Sequence, residues 1–189
     1  MIQIKSLQSF AVLGESGKVW QSVETIFFES SIKKKFANAE EKAHFRFKYL
    51  DWYIKNHPEL FFIAIDGDKN IQGYICGAPD TAAESELSSL HPWFSLFSHL
   101  FLHYPAHLHI NCAENARGVG LGTALLNVLE NTLQSKQILG VHLVTSPEAR
   151  NVGFYDRNGY KFSQTVVWKD APLLFMGKSL STHALESQL

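Results

Sequence analysis

An apolar, strand-like run from Leu108 to Cys112 leads through Arg117-Gly118-Val119-Gly120-Leu121-Gly122-Thr123 into an amphipathic run, Leu121 to Leu133. No other seven residues restrict the fold as much. Glycines at a strand-to-helix junction admit backbone conformations closed to other residues, and the first N–H groups of a helix have no partner inside it. Strand, glycine-rich turn and helix start together form a cradle for an anion, most often phosphate or pyrophosphate. Arg117 adds a fixed positive charge at the rim. With Val141 to Thr145 as the next strand, the segment is a parallel βαβ unit, so the centre of the chain belongs to a mixed α/β sheet.

The periodicity of apolar residues organises the rest. Ile2 to Leu13 holds a first strand and Val19 to Ser31 a helix. Asn38 caps a second helix with Glu41 three residues on. Ala43, Phe47, Leu50 and Ile54 lay one apolar stripe along it, and His57-Pro58 ends it. Leu60 to Ile65 and Ile71 to Cys76 flank Asp66-Gly67-Asp68-Lys69-Asn70, an antiparallel hairpin signal. Gly77-Ala78-Pro79-Asp80 breaks the second of these strands. A Ser-rich loop and an aromatic helical segment fill Ala82 to Tyr104, where Trp93, Phe94 and Phe97 belong to the core or to a lid. Gly140 marks the end region of the cradle helix. Ser146-Pro147 offers an N-cap with Pro at the first helical position, and Asn158-Gly159 the matching stop. Tyr160 to Trp168 and Leu173 to Met176 close the fold. The expected organisation is a single domain, residues 1–180, and a polar tail, 181–189.

Composition excludes several function classes. A chain of 189 residues can bury a full core, and a formal charge of −1 argues against a general nucleic-acid binder. No segment reaches the roughly 20 apolar residues of a membrane span. No signal peptide is visible, and Cys76 and Cys112 sit in apolar strands like buried hydrophobes of a reducing compartment. A cytoplasmic location is the expectation.

Three ligand classes use such a cradle. A nucleoside-triphosphate loop needs Lys before its Ser or Thr, and here Thr123 follows Gly122 directly. A dinucleotide fingerprint needs a third glycine where Thr123 stands, in the first βα unit of the chain. An acyl-coenzyme A cradle needs Arg/Gln-x-x-Gly-x-Gly/Ala, which Arg117, Gly120 and Gly122 supply in order. A glycine-rich turn without ligand remains the bland alternative.

On this motif the sequence resembles the GNAT superfamily of N-acetyltransferases. Asn151-Val152-Gly153-Phe154-Tyr155 with Gly159-Tyr160 is similar to the family's second signature. Within the superfamily, Gly77-Ala78-Pro79-Asp80-Thr81 and Tyr104-Pro105-Ala106-His107-Leu108-His109-Ile110 resemble the acetyltransferase-like domain associated with O-GlcNAcases and its free-standing bacterial relatives. The resemblance implies a mixed sheet of about seven strands, an antiparallel N-terminal part and a central parallel βαβ, flanked by helices. It implies acetyl-CoA as co-substrate and direct transfer to an amine of a small molecule or peptide, and no metal is expected from the spacing of the histidines. A homodimer is open to it.

The implied cofactor residues are Ile110, Asn111 and Cys112 along the strand, Arg117, Gly118, Val119, Gly120, Leu121, Gly122 and Thr123 in the cradle, and Asn151, Phe154 and Tyr155. Tyr155 matches the tyrosine that protonates the departing thiolate, a task suited to a phenol. The family's Asn seven residues earlier is Glu148 here. No Glu stands in the strand before the cradle. His107, His109 and Asn111 share one face of that strand. His109 is one candidate base, and Asp80, at the end of the hairpin strand, is the other, or a binder of a cationic amine. His99, His103, His107 and His109 lack a metal-ligand spacing. Two further readings stay open. One is a pseudo-acetyltransferase that binds acyl-coenzyme A without transfer; the other is a coenzyme A sensor that binds a partner.

Overall fold

A computed structural model describes residues 2–8 and 16–181. All but the first residue of the expected polar tail, and the latter part of the expected first strand, fall outside the described residues. Seven strands hydrogen-bond in the order β1-β2-β3-β4-β5-β7-β6. They are β1 (Gln3–Ser6), β2 (Phe62–Ile65), β3 (Ile71–Ala78), β4 (Ala106–Cys112), β5 (Gly140–Thr145), β6 (Phe162–Trp168) and β7 (Ala171–Ser179). β1–β2, β2–β3, β5–β7 and β6–β7 are antiparallel, and β4–β5 is parallel. The mixed sheet expected from the sequence is therefore present. Among the described residues no helix is long and apolar enough to cross a membrane.

The described residues pack as two compact units, one within Met1–Gly77 and His109–Leu129, the other within Ala78–Leu108 and Glu130–Leu189. In the first unit, helix α1 (Ser16–Ser30) buries Val23, Ile26 and Phe27. The hairpin turn is built on Asp66. Its Oδ1 accepts from the N–H groups of Asp68 and Asn70, both at 2.9 Å, and its Oδ2 from Gln72 Nε2 at 2.7 Å. Helix α2 (Ala39–Arg46) begins as expected: Asn38 Oδ1 accepts from Glu41 N–H at 2.8 Å, while the Glu41 carboxylate accepts from the N–H of Ala37.

The stripe along that helix is corrected. A π-turn, Phe47–Asp51, separates α2 from α3 (Trp52–Asn56). One extra residue per turn rotates everything after it around the helix axis. Ala43 is exposed, whereas Leu50, Trp52 and Tyr53 are buried.

In the second unit, helix α4 (Ser85–Leu90) is followed by a 3-10 segment, Pro92–Leu100, whose Phe94, Phe97 and Leu100 are buried. Their three-residue spacing matches the period of that helix type, so one face is continuous core. Phe94 and Phe97 are thus core residues. Helix α5 (Leu121–Ser135) follows the glycine loop, and α6 (Val152–Arg157) precedes β6.

Two expected boundaries differ. Gln137, at φ 61°, ends α5, with Ile138 N–H donating to Leu133 O and Gln137 N–H to Gln134 O. That is a Schellman stop without glycine. Gly140 instead begins β5 because a Cβ there would run into the carbonyl oxygen of His103, and would meet Lys178 O at 3.0 Å. Gly140→Ala is therefore expected to destabilise the fold by about 1–3 kcal/mol, as overpacking does. A urea titration would read this as a lower midpoint at unchanged slope. Ser146-Pro147 starts no helix either. Ala149 N–H bonds back to Ser146 O and Val152 N–H to Ala149 O, so the backbone makes three-residue turns until α6. The Asn158-Gly159 stop holds, with Tyr160 N–H donating to Tyr155 O at 3.1 Å.

Candidate active site

β4 ends beside β3 in close approach. A Cβ at Gly73 would sit 2.9 Å from Asn111 O, and Ala113 N–H donates to Gln72 O at 2.9 Å. On the other side, the parallel register with β5 pairs Ala106 with Val141 and His107 with His142. Leu108 onward has no registered partner on β5, although both strands run on. After a short 3-10 turn, Glu114–Ala116, comes the glycine loop. Gly118 and Gly120 take φ of 78° and 86°, and a Cβ on either would meet nothing within 4 Å. Conformation, not crowding, demands glycine at these two positions. Ala124 N–H closes the helix onto Gly120 O at 3.0 Å, and the N–H groups before it point out of the helix end. Val119 and Thr123 are exposed, Gly122 lies in the first turn, and Leu121 is buried.

Arg117 folds back on its own strand. Its Nε donates to Cys112 O at 3.2 Å and its Nη2 to Ser30 Oγ at 3.3 Å, which ties the loop to the end of α1. A cavity of about 440 Å³ borders Gly120 and Leu121 and is also lined by Asp66 and Gln72. Hydrogen bonds from Asn70 hold the Asp66 carboxyl below its usual range. That negative charge lies on the wall of the cavity, not on the loop's own open N–H groups.

On the face of β4, His109 lies edge-on to the rings of Tyr49 and Tyr53, at 5.5 and 5.2 Å between centroids. Asn111 Nδ2 donates to Tyr74 Oη at 2.7 Å. Ile110 and Cys112, on the alternate positions, are partly exposed. Burial pushes the Cys112 thiol up to about 11 and the Cys76 thiol well above its ordinary range. Neither supplies a thiolate nucleophile at neutral pH.

Burial, then the charge of Lys48, pushes His109 down to about 4. Part of the residue's surface reaches solvent, but Nε2 does not. A ring so held is neutral at pH 7 and a weak base. Its folded pKa lies below the unfolded value near 6.5, so the associated stability is present above pH 6.5 and lost as pH falls toward 4. Between pH 7 and 4.5 the loss is about 2–3 kcal/mol from this residue. Urea midpoints for the parent chain and His109→Gln should therefore converge as pH falls.

The remaining residues lie in the second unit. Tyr155 is buried on α6, with its ring 5.2 Å from Phe154 and 5.6 Å from Tyr160. Asn151 is exposed and its Oδ1 accepts from Thr145 Oγ1 at 3.4 Å. Asp80 is exposed, with Oδ1 accepting from the N–H groups of Ala82 and Ala83 at 3.0 and 3.3 Å. Its carboxylate caps the turn that follows β3. The four histidines do not converge. His99 meets Gln164, His103 is exposed, and His107 is buried against Phe94 and His142. Among the described residues no group of three or more His, Cys, Asp or Glu side chains could hold a metal ion.

Sequence reasoning missed a buried acid beside Tyr160. Glu130 of α5 accepts from Tyr160 Oη at 3.0 Å and from Lys178 Nζ at 2.6 Å. A single acid within the apolar row Leu125, Leu126, Leu129 and Leu133 was the available signal.

A glycine loop before an open helix N-terminus, within a parallel βαβ unit, is an arrangement able to bind an anion. The family model of the acetyltransferase (GNAT) family matches residues 20–160, and the chain belongs to that family. Its fold is shared with SsHAT, at TM-score 0.72 and 20% identity over 95% of this chain and 98% of that one. It is likewise similar to Naa20 from Chaetomium thermophilum, whose structure holds a bisubstrate analogue. There the TM-score is 0.57 and the identity 18% over 95% and 86% of the two chains. A chain of the NatC complex, solved with Gag peptide and CoA, matches at TM-score 0.63 and 15% identity over 95% and 99%.

Proposed function

We propose that the chain is a single acetyltransferase domain that moves the acetyl group of acetyl-CoA to an amine of a small molecule or peptide by direct attack. The observation that carries this reading is the loop Arg117 to Thr123, with its two left-handed glycines and open helix N-terminus, in a chain of this family. The pyrophosphate binds the N–H groups there, favoured by the positive end of α5. The pantetheine arm runs along the backbone of Ile110 to Cys112, where the strand has no registered partner on β5. A backbone N–H at that edge polarises the thioester carbonyl.

The amine nitrogen forms a bond to the carbonyl carbon, and the carbon–sulfur bond breaks. Tyr155 gives its proton to the departing thiolate, with Phe154 packing beside it and Asn151 at the start of α6. Asp80 draws the cationic amine. His109 takes the amine proton once the tetrahedral adduct has made that nitrogen more acidic, a step within the range of a weak base. The relation to O-GlcNAcase-associated domains belongs to the same reading. Its support is that the two stretches behind it meet, since Thr81 N–H and Oγ1 both donate to Pro105 O, at 2.8 and 2.9 Å.

The low basicity of His109 also favours a second reading, a pseudo-acetyltransferase that binds acyl-coenzyme A as a sensor or interaction module. Titration calorimetry with acetyl-CoA tests what the two share: no binding at millimolar ligand rejects both. Thiol release across a broad amine panel separates them, and binding without release favours the second.

A further inference from the structure

The second unit ends in a strand edge that the transfer just described does not use. β6 closes the strand order and pairs with β7 only. All seven of its residues, Phe162 to Trp168, stay in register with β7. An edge strand presents a row of main-chain donors and acceptors, and proteins ordinarily blunt it with a charge, a proline, a bulge or a short length. The opposite end of the order is blunted in this way, since β1 has four residues and carries Lys5. Phe-Ser-Gln-Thr-Val-Val-Trp has no charge, no proline and no break in register, and Val167 is 69% exposed. Such an edge is open to a further strand.

The hairpin that joins β6 to β7 decides which groups face outward. Its two-residue turn, Lys169-Asp170, holds φ of 47° and 64°, the type I′ pattern. Such a turn bonds the residues that flank it, Trp168 and Ala171, and bonded and non-bonded pairs then alternate along the ladder. Val167 accordingly faces Pro172, which has no N–H to give. The main-chain groups of Ser163, Thr165 and Val167 therefore point away from β7, and among the described residues none pairs with them.

We propose that β6 pairs antiparallel with β6 of a second copy of this chain, about a two-fold axis at Thr165. The strand is complementary to itself in that register. Ser163 meets Val167 and Thr165 meets its own copy, so the three outward residues exchange about six hydrogen bonds. Phe162 comes opposite Trp168, which sets an aromatic pair at each end of the ladder. Phe162 is already held there by stacking on Tyr104 at 5.2 Å. No other centre on the strand pairs all seven residues. Just past the ladder Lys161 meets Lys169 of the copy, and Asp156, 2.9 Å from Lys161, offsets that repulsion.

Sedimentation equilibrium of the full chain tests this. A ladder this short makes a weak dimer, half formed at about 10–100 µM. Thr165 is exposed, so a charge there leaves the fold of the single chain intact. Thr165→Lys and Thr165→Glu are each expected to raise the half-dimer concentration at least about tenfold, because each sets a like charge against itself at the axis. Mixed in equal amounts, the two variants should regain a dimer, since opposite charges then meet. Both should keep the parent's circular dichroism. A parent still monomeric at about 500 µM overturns the proposal. So do variants as dimeric as the parent, or a mixture no more associated than either variant alone.

Discussion

Tyr155→Phe is expected to slow thiol release by about 10²-fold or more, the usual contribution of a positioned general acid, while the affinity for acetyl-CoA changes little. Removing the hydroxyl leaves the aromatic packing in place. The ring still fits beside Phe154 and Tyr160, and the backbone of residue 155 still accepts from Asn158 and Tyr160 N–H groups at 3.0 and 3.1 Å. The substitution thus separates two roles. A proton donor acts in the step where the thiolate leaves, so its loss lowers turnover without touching ground-state binding. A packing residue loses almost nothing on becoming Phe. Turnover unchanged across the amine panel would return Tyr155 to the core and move the protonation step elsewhere. A variant with both affinity and turnover reduced would instead show that the hydroxyl holds the coenzyme.

How far the sequence speaks depends on whether an element is fixed by neighbours along the chain. The Asn38 cap, the Asp66 turn and the stop at Asn158-Gly159 are each made by residues a few positions apart, and each is found where the sequence places it. The glycine loop is legible for the same reason. Gly118 and Gly120 need a left-handed backbone whatever surrounds them.

Gly140 is the opposite case. Its reason is the carbonyl of His103, a neighbour in space and not in sequence, so a reading by local rules assigns it to a helix end. The π-turn escapes for a related cause. Phe47-Lys48-Tyr49-Leu50-Asp51 has no residue that forbids an ordinary α-helix. What the extra residue accomplishes is the burial of Trp52 and Tyr53 and the approach of Tyr49 to His109. The candidate site divides along the same line. Its glycine loop is local and readable, whereas the surroundings of His109 are tertiary, and they alone make it a weak base.

Glu130→Ala is expected to be the most destabilising single change named for this protein, at about 3–5 kcal/mol, because it leaves the partners of a buried ion pair without their acceptor. Glu130 is only 5% exposed, on a face of α5 that otherwise buries leucines. One of its oxygens takes the Tyr160 hydroxyl and the other the Lys178 ammonium, which also lies 5.8 Å from the Tyr160 ring centroid. Burial, followed by the charge of Glu130, holds the Tyr160 hydroxyl well above its usual range, so it remains a donor at any working pH. Glu130→Ala removes both acceptors, although the Lys178 side chain, 26% exposed, recovers some hydration. That partial access sets the expectation at the lower end of the range, a fall of about 6–12 °C in melting temperature for a chain of this size. Glu130→Gln keeps an oxygen for Tyr160 and loses the charge opposite Lys178, and should fall between the parent and Glu130→Ala. Glu130→Ala as stable as the parent would mean that Lys178 and Tyr160 find water instead.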